Sequence, residues 1–138
     1  MGATHSAGAN RILIVDDDVD LLMLLERKLL KQGFDVETAV TLHEAEEILE
    51  YFQPQLLLLD INLNGEDGRK LSFTLKRSDR HADIRIIILS GYDYSASRAV
   101  LFGADELITK PLHLDYLLHR IEHYLLNGSQ RIYKEDSI

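Results

Sequence analysis

The chain has 138 residues, 46% of them apolar and 28% charged, the make-up of one globular domain with a sizeable core. Its net charge of −8 argues against nucleic acid or an acidic membrane surface as a generic partner, because both are polyanions. With no cysteine there is no disulfide, thiolate metal site or cysteine nucleophile, and no apolar run approaches the ~20 residues of a membrane helix.

Residues 1–10, MGATHSAGAN, are small and polar and lack the apolar core of a signal peptide. They are expected to form a disordered leader, and a cytoplasmic protein is the default reading. RILIVDD (11–17) is an apolar run ending in acids, which predicts a buried strand. VDLLMLLERKLLKQG (19–33) has apolar residues at helical spacing and Gly33 as its stop. FDVETA (34–39) alternates apolar and polar, as an edge strand does. TLHEAEEILEYFQ (41–53) predicts a helix with Thr41 as N-cap, Glu44 completing a capping box, and Pro54 as the stop. QLLLLD (55–60) is a fully apolar strand ending in an aspartate, and INLNGEDG (61–68) reads as a loop by its Asn and Gly content. RKLSFTLKRS (69–78) predicts a helix, and IRIIILSG (84–91) a further buried strand ending in Ser-Gly. YSASRAVLFG (94–103) predicts a helix, DELITKP (105–111) a short strand and LHLDYLLHRIEHYLL (112–126) the last helix. The polar segment 127–138 reads as a frayed tail or the start of a linker.

Five alternations of strand and helix imply an α/β, doubly wound parallel sheet with helices on both faces. Continuous apolar runs mark strands buried on both sides, so the first, third and fourth predicted strands belong at the centre and the second at an edge. In such sheets ligands bind at the carboxyl ends of the strands, where strand order reverses. Asp16, Asp17, Asp60, Ser90 and Lys110 all fall at that end. Helix capping accounts for Asp18 and for at most one of Asp16 and Asp17. A single site accounts for the other residues together, where otherwise each needs its own explanation. Two carboxylates ~4 Å apart repel by about 4 kcal/mol at an effective dielectric near 20, so the cluster calls for a cation. Oxygen ligands without cysteine suit a hard ion, Mg²⁺ or Mn²⁺. The set also has a chemistry: Asp60 as nucleophile toward a phosphoryl group, with the ion, Lys110 and the Ser90 hydroxyl neutralising the phosphoryl oxygens.

The ordered set ILIVDDD, LLLLDINLNGEDG, IIILSG and GADELITKP resembles the receiver domain of two-component response regulators over roughly residues 11–126. The resemblance implies a flavodoxin-like (βα)5 fold with strand order 2-1-3-4-5. It implies Asp60 as phosphoacceptor, and a metal held by Asp17, Asp60 and the backbone carbonyl of Asn62, with Asp16 holding a metal-bound water. Ser90 would be the switch hydroxyl, Lys110 would pair with the phosphate, and a cis bond would join Lys110 to Pro111. The phosphoryl donor would be a sensor histidine kinase or a histidine phosphotransfer protein. The responding surface would be the fourth helix, fifth strand and last helix, open to a second copy or a downstream protein. Leu114, Leu117, Leu118, Ile121 and Leu125 form the core stripe of that last helix, with His113, Tyr116, His119, Arg120 and His123 lying away from it.

The chain departs from the family pattern in three places. Asn64, followed by Gly65, stands where the family usually has Pro, which implies a more flexible loop. Leu107 stands where the family has an aromatic switch residue, and Leu112 replaces a frequent Phe. The resemblance also implies that Tyr92, two residues after Ser90, would shield the acceptor from water. The alternative reading is a degenerate, unphosphorylated receiver serving as a protein-binding module. A nucleotide-binding enzyme of the same fold would want a Gly-rich first turn, and DDDVD is the opposite. An aspartyl phosphatase would place its nucleophile after the first strand, a spacing that Asp16 and Asp18 meet while leaving Asp60 unexplained.

Overall fold

A computed structural model describes residues 10–91 and 103–126. Residues 1–9 of the leader, Tyr92, most of the predicted helix at 94–103 and the tail at 127–138 lie outside the described residues. The elements are β1 (Arg11–Val15), α1 (Val19–Lys31), β2 (Asp35–Ala39), α2 (Leu42–Tyr51), β3 (Leu56–Asp60), β4 (Asn62–Leu63), β5 (Glu66–Asp67), α3 (Arg69–Lys76), β6 (Arg85–Ser90), β7 (Glu106–Thr109) and α4 (Leu114–Leu125). Five of the strands form one sheet in the order β2-β1-β3-β6-β7, every pairing parallel. This is the 2-1-3-4-5 order of the resemblance, with the short strands β4 and β5 set apart as a hairpin.

The apolar runs divide by parity, because successive strand residues point to opposite faces. Leu13, Val15, Leu57, Leu59, Ile86 and Ile88 pack under α2 and α3, with Ile48, Leu49, Leu71 and Leu75. Ile12, Ile14, Leu56, Leu58, Ile87 and Leu89 pack under α1 and α4, with Leu22, Leu25, Leu29, Leu117 and Ile121. A strand with helices on both sides has no polar face, which is why β1, β3 and β6 read as unbroken hydrophobic runs. The sheet edge carries the alternating strand β2, as its pattern predicts. In α4, Leu117 and Ile121 are buried while Leu114, Leu118 and Leu125 pack against the same cluster from its rim.

Local signals hold the helix starts. Asp18 caps α1 by accepting the Leu21 N–H at 3.2 Å. Thr41 Oγ1 accepts the Glu44 N–H at 3.1 Å, and Glu44 reaches back to the Val40 N–H at 2.7 Å, one residue before the usual return bond of a capping box. The segment at 61–68, read as a loop, contains a short hairpin of two-residue strands joined by a two-residue turn. Asn64 (φ 50°) and Gly65 (φ 92°) sit at the two central positions, both left-handed, as a type I′ turn requires. Asn-Gly is the sequence best suited to that turn, so the strand–turn signal was present but too short to stand out from a loop.

Gly68 ties this hairpin back to the sheet. Its N–H donates to the Ile61 carbonyl at 2.6 Å, and a Cβ at this position would collide with the backbone oxygen of Asp60. Gly68→Ala must therefore push α3 away from the end of β3. It should lower stability by about 1–3 kcal/mol, the usual cost of overpacking, read as an earlier midpoint in urea denaturation. An unchanged midpoint would mean that the backbone relaxes freely here.

Candidate phosphoryl and cation site

Parallel pairing brings the carboxyl ends of β1, β3, β6 and β7 to one edge. Asp16 leaves β1, Asp60 ends β3, Ser90 ends β6 and Lys110 follows β7. The Ser90 carbonyl accepts the Lys110 N–H at 2.6 Å, so β6 fixes where the lysine begins. The Lys110–Pro111 peptide bond is cis, as the resemblance implies. Asp17, Asp60, Ile61, Asn62, Ser90, Gly91 and Lys110 line a cleft of about 230 Å³. A larger cleft of about 360 Å³ lies at the amino ends of the strands, lined by Arg11, Gln53, Arg80, His81 and neighbours, away from this cluster.

Asp16 is fully buried and Asp60 and Ser90 nearly so. Lys110 bridges the two acids: its Nζ lies 2.8 Å from Asp16 Oδ2 and 3.3 Å from Asp60 Oδ2. The remaining oxygens meet backbone donors. Asp16 Oδ1 accepts the Asp18 N–H at 2.9 Å and Asp60 Oδ1 the Asn62 N–H at 3.2 Å. Asp17 Oδ2 accepts the Asn64 N–H at 2.9 Å. All six residues that the sequence singled out thus come together, Asn62 included. The hairpin donor to Asp17 was missed, since nothing in Asn64 as a residue type announces a backbone bond 47 positions away.

Burial pushes the Asp60 carboxyl above its usual range, and the neighbouring Asp16 charge adds to this, while Lys110 and the Asn62 N–H pull the other way. Burial works against the Lys110 ammonium too, but hydrogen bonding and attraction to Asp16 and Asp60 more than offset it, and its pKa is raised. Ligand oxygens of Asp16, Asp17 and Asp60 lie within 4.8 Å of one another. Three clustered carboxylates, oxygen donors only, are a donor set that fits a hard divalent cation.

The response regulator receiver domain family model matches residues 12–122. The chain belongs to the response regulator receiver family. It is 34% identical over 124 residues to the DNA-binding dual master transcriptional regulator RpaA of Synechocystis, with 88% of this chain and 51% of RpaA covered. The chain thus spans about half the length of that relative. Among solved structures it is similar to a CheY-like receiver domain protein from Methanospirillum hungatei, with 29% identity, a TM-score of 0.81 and coverage of 90% of this chain and 99% of that one. It is also similar to a Burkholderia pseudomallei response regulator with 27% identity and a TM-score of 0.74, covering 91% and 72% of the two chains. That protein was crystallised with a phosphorylated aspartic acid, a calcium ion and citrate.

The titration shifts make stability depend on pH in a definite sense. A carboxyl whose folded pKa is raised binds its proton more tightly when folded, so stability falls as pH rises from 3.8 through the raised value. The raised Lys110 pKa acts oppositely: its stabilisation is full below 10.5 and is lost as pH passes the folded value. Asp60→Asn should therefore melt higher than wild type at pH 7, read by thermal denaturation of both proteins. The gain should shrink below pH 3.8, where Asp60 is protonated in both states. A difference independent of pH would mean that the Asp60 charge costs the fold nothing.

Proposed function

We propose that the chain is a phosphorylation-dependent switch that takes a phosphoryl group onto Asp60 from a sensor histidine kinase or a histidine phosphotransfer protein. One observation carries this reading: the Asp60 carboxylate lies at a cleft wall between a clustered pair of acids and an ammonium, with room beside it. The family match and the phosphorylated aspartate of the Burkholderia relative support it. In the transfer, an Asp60 oxygen bonds to phosphorus as the phosphorus–nitrogen bond to the donor imidazole breaks, and the imidazole nitrogen takes up a proton. Lys110 then faces a phosphoryl oxygen in place of part of its present bond to Asp60, and the Ser90 hydroxyl donates to another. Asp17, Asp60 and the Asn62 backbone carbonyl would hold a Mg²⁺ or Mn²⁺ ion, with Asp16 on a bound water. When bound, the ion neutralises charge on the transferring group. The chain would catalyse only its own phosphorylation and dephosphorylation, in the cytoplasm. Among the described residues no helix is long and apolar enough to cross a membrane.

Two surfaces would serve the exchange. On α1, Leu22, Leu25 and Leu29 are buried, and Val19, Met23, Leu24 and Leu30 are 42–55% exposed. The surplus apolar face is thus Val19, Met23 and Leu30, with Leu24 exposed on another side of the helix, while Leu21 packs partly buried against the core. It begins two residues from Asp17 and suits docking by a kinase or phosphotransfer helix. The output side includes β7 and α4, where Arg120 makes a forked ion pair with Glu106 at 2.7–2.9 Å and Tyr124 donates to Glu106 at 2.8 Å. A second copy or a downstream protein would read changes there. Leu107 is partly buried against the α2–α3 side of the core, so no aromatic rotamer reports activation at this position.

Incubation with acetyl phosphate and Mg²⁺ should add one phosphoryl group to the intact mass, and Asp60→Asn should abolish the gain. Equal labelling of the variant would move the acceptor elsewhere. Absence of labelling in wild type would favour the unphosphorylated binding module.

A further inference from the structure

The three carboxylates of the site are not held alike. Asp16 and Asp60 each accept an N–H from two residues further along the chain, and Lys110 bridges them. Asp17 is held from another direction, by the Asn64 N–H at the tip of the β4–β5 hairpin. That tip has a fixed geometry. Gly65 donates to Asn62 Oδ1 at 3.3 Å, and both turn residues have positive φ. Nothing lies within 4 Å of a Cβ built on Gly65, so its backbone angle alone, and not crowding, demands glycine there.

We propose that the Asn64–Gly65 turn is a positioning element of the cation site. The Asn64 N–H holds one Asp17 oxygen at 2.9 Å and so fixes the carboxylate, an oxygen of which lies within 4.8 Å of oxygens of Asp16 and Asp60. A carboxylate at the head of a helix otherwise rotates, and a cation must then pay for freezing it. Groups that hold a metal ligand from behind typically change affinity 10–100-fold when removed. The coupling is reciprocal: a turn that favours the cation is itself steadied by it. The turn is thus a segment whose order reports whether the site is filled. This inference rests on the proposed cation site and goes beyond it.

The test is a Mg²⁺ titration followed by backbone amide shifts, with thermal melting to verify folding of each variant. Asn64→Pro removes the donor, and Gly65→Val keeps it but cannot hold the turn; both should weaken Mg²⁺ roughly tenfold. Asn64→Gly keeps donor and turn and should bind as wild type does. In unmodified protein, hydrogen exchange at the Asn64 amide should slow when Mg²⁺ is added. If Asp17→Ala loses Mg²⁺ binding while both turn variants retain wild-type affinity, the turn has no positioning role. Asn64 exchange unchanged by saturating Mg²⁺ would overturn it as well, even if the variants fail to fold. If Asp17→Ala binds Mg²⁺ as tightly as wild type, the cation site itself is misassigned, and the inference falls with it.

Discussion

The ammonium of Lys110, set between Asp16 and Asp60, is the contact on which the carboxyl edge of this sheet depends. Two buried carboxylates a few ångströms apart repel by about 4 kcal/mol at an effective dielectric near 20, and each also gives up its water. One lysine, 2.8 Å from one acid and 3.3 Å from the other, offsets part of both costs. It leaves the third acid, Asp17, uncompensated by this lysine's bonds. The cluster is therefore stable enough to fold and still short of positive charge. That shortfall is what the proposed cation, and a phosphoryl group transferred with it, would answer.

The rest of the fold serves to bring these groups to one place. Parallel strands put all their carboxyl ends on one edge, and two helical layers bury β1, β3 and β6 so completely that their polar residues stand only at the strand ends. Lys110 is drawn in by the Ser90 carbonyl and by the β6–β7 pairing that ends at Ser90 and Thr109. Gly68 lets the hairpin and α3 close over the end of β3 without displacing Asp60. Each of these is a backbone constraint, and each places a side chain that chemistry needs.

The fold class and the membership of the site were legible in the sequence for simple reasons. Unbroken apolar runs of four or five residues have few interpretations when helices alternate with them, and acids at the ends of such runs have no apolar use. The hairpin was not legible as such, because two-residue strands carry no periodicity, and INLNGEDG gives turn chemistry without strand length. The Asp17–Asn64 bond and the particular residues that α1 leaves exposed were also beyond reach. Both depend on the angle at which an element meets its neighbours, and residue types do not encode that angle.

The central claim is that the three aspartates leave the folded domain short of one divalent cation. The most direct measurement is urea unfolding at increasing Mg²⁺, with ionic strength held constant. Binding to the folded state alone stabilises by RT ln(1 + [L]/Kd), about 2.7 kcal/mol at a hundredfold excess over Kd. The account predicts that wild-type stability climbs with the logarithm of Mg²⁺ concentration once the site begins to fill, and that Asp17→Ala stays flat. A wild-type stability indifferent to Mg²⁺, or an equal rise in both proteins, would contradict it.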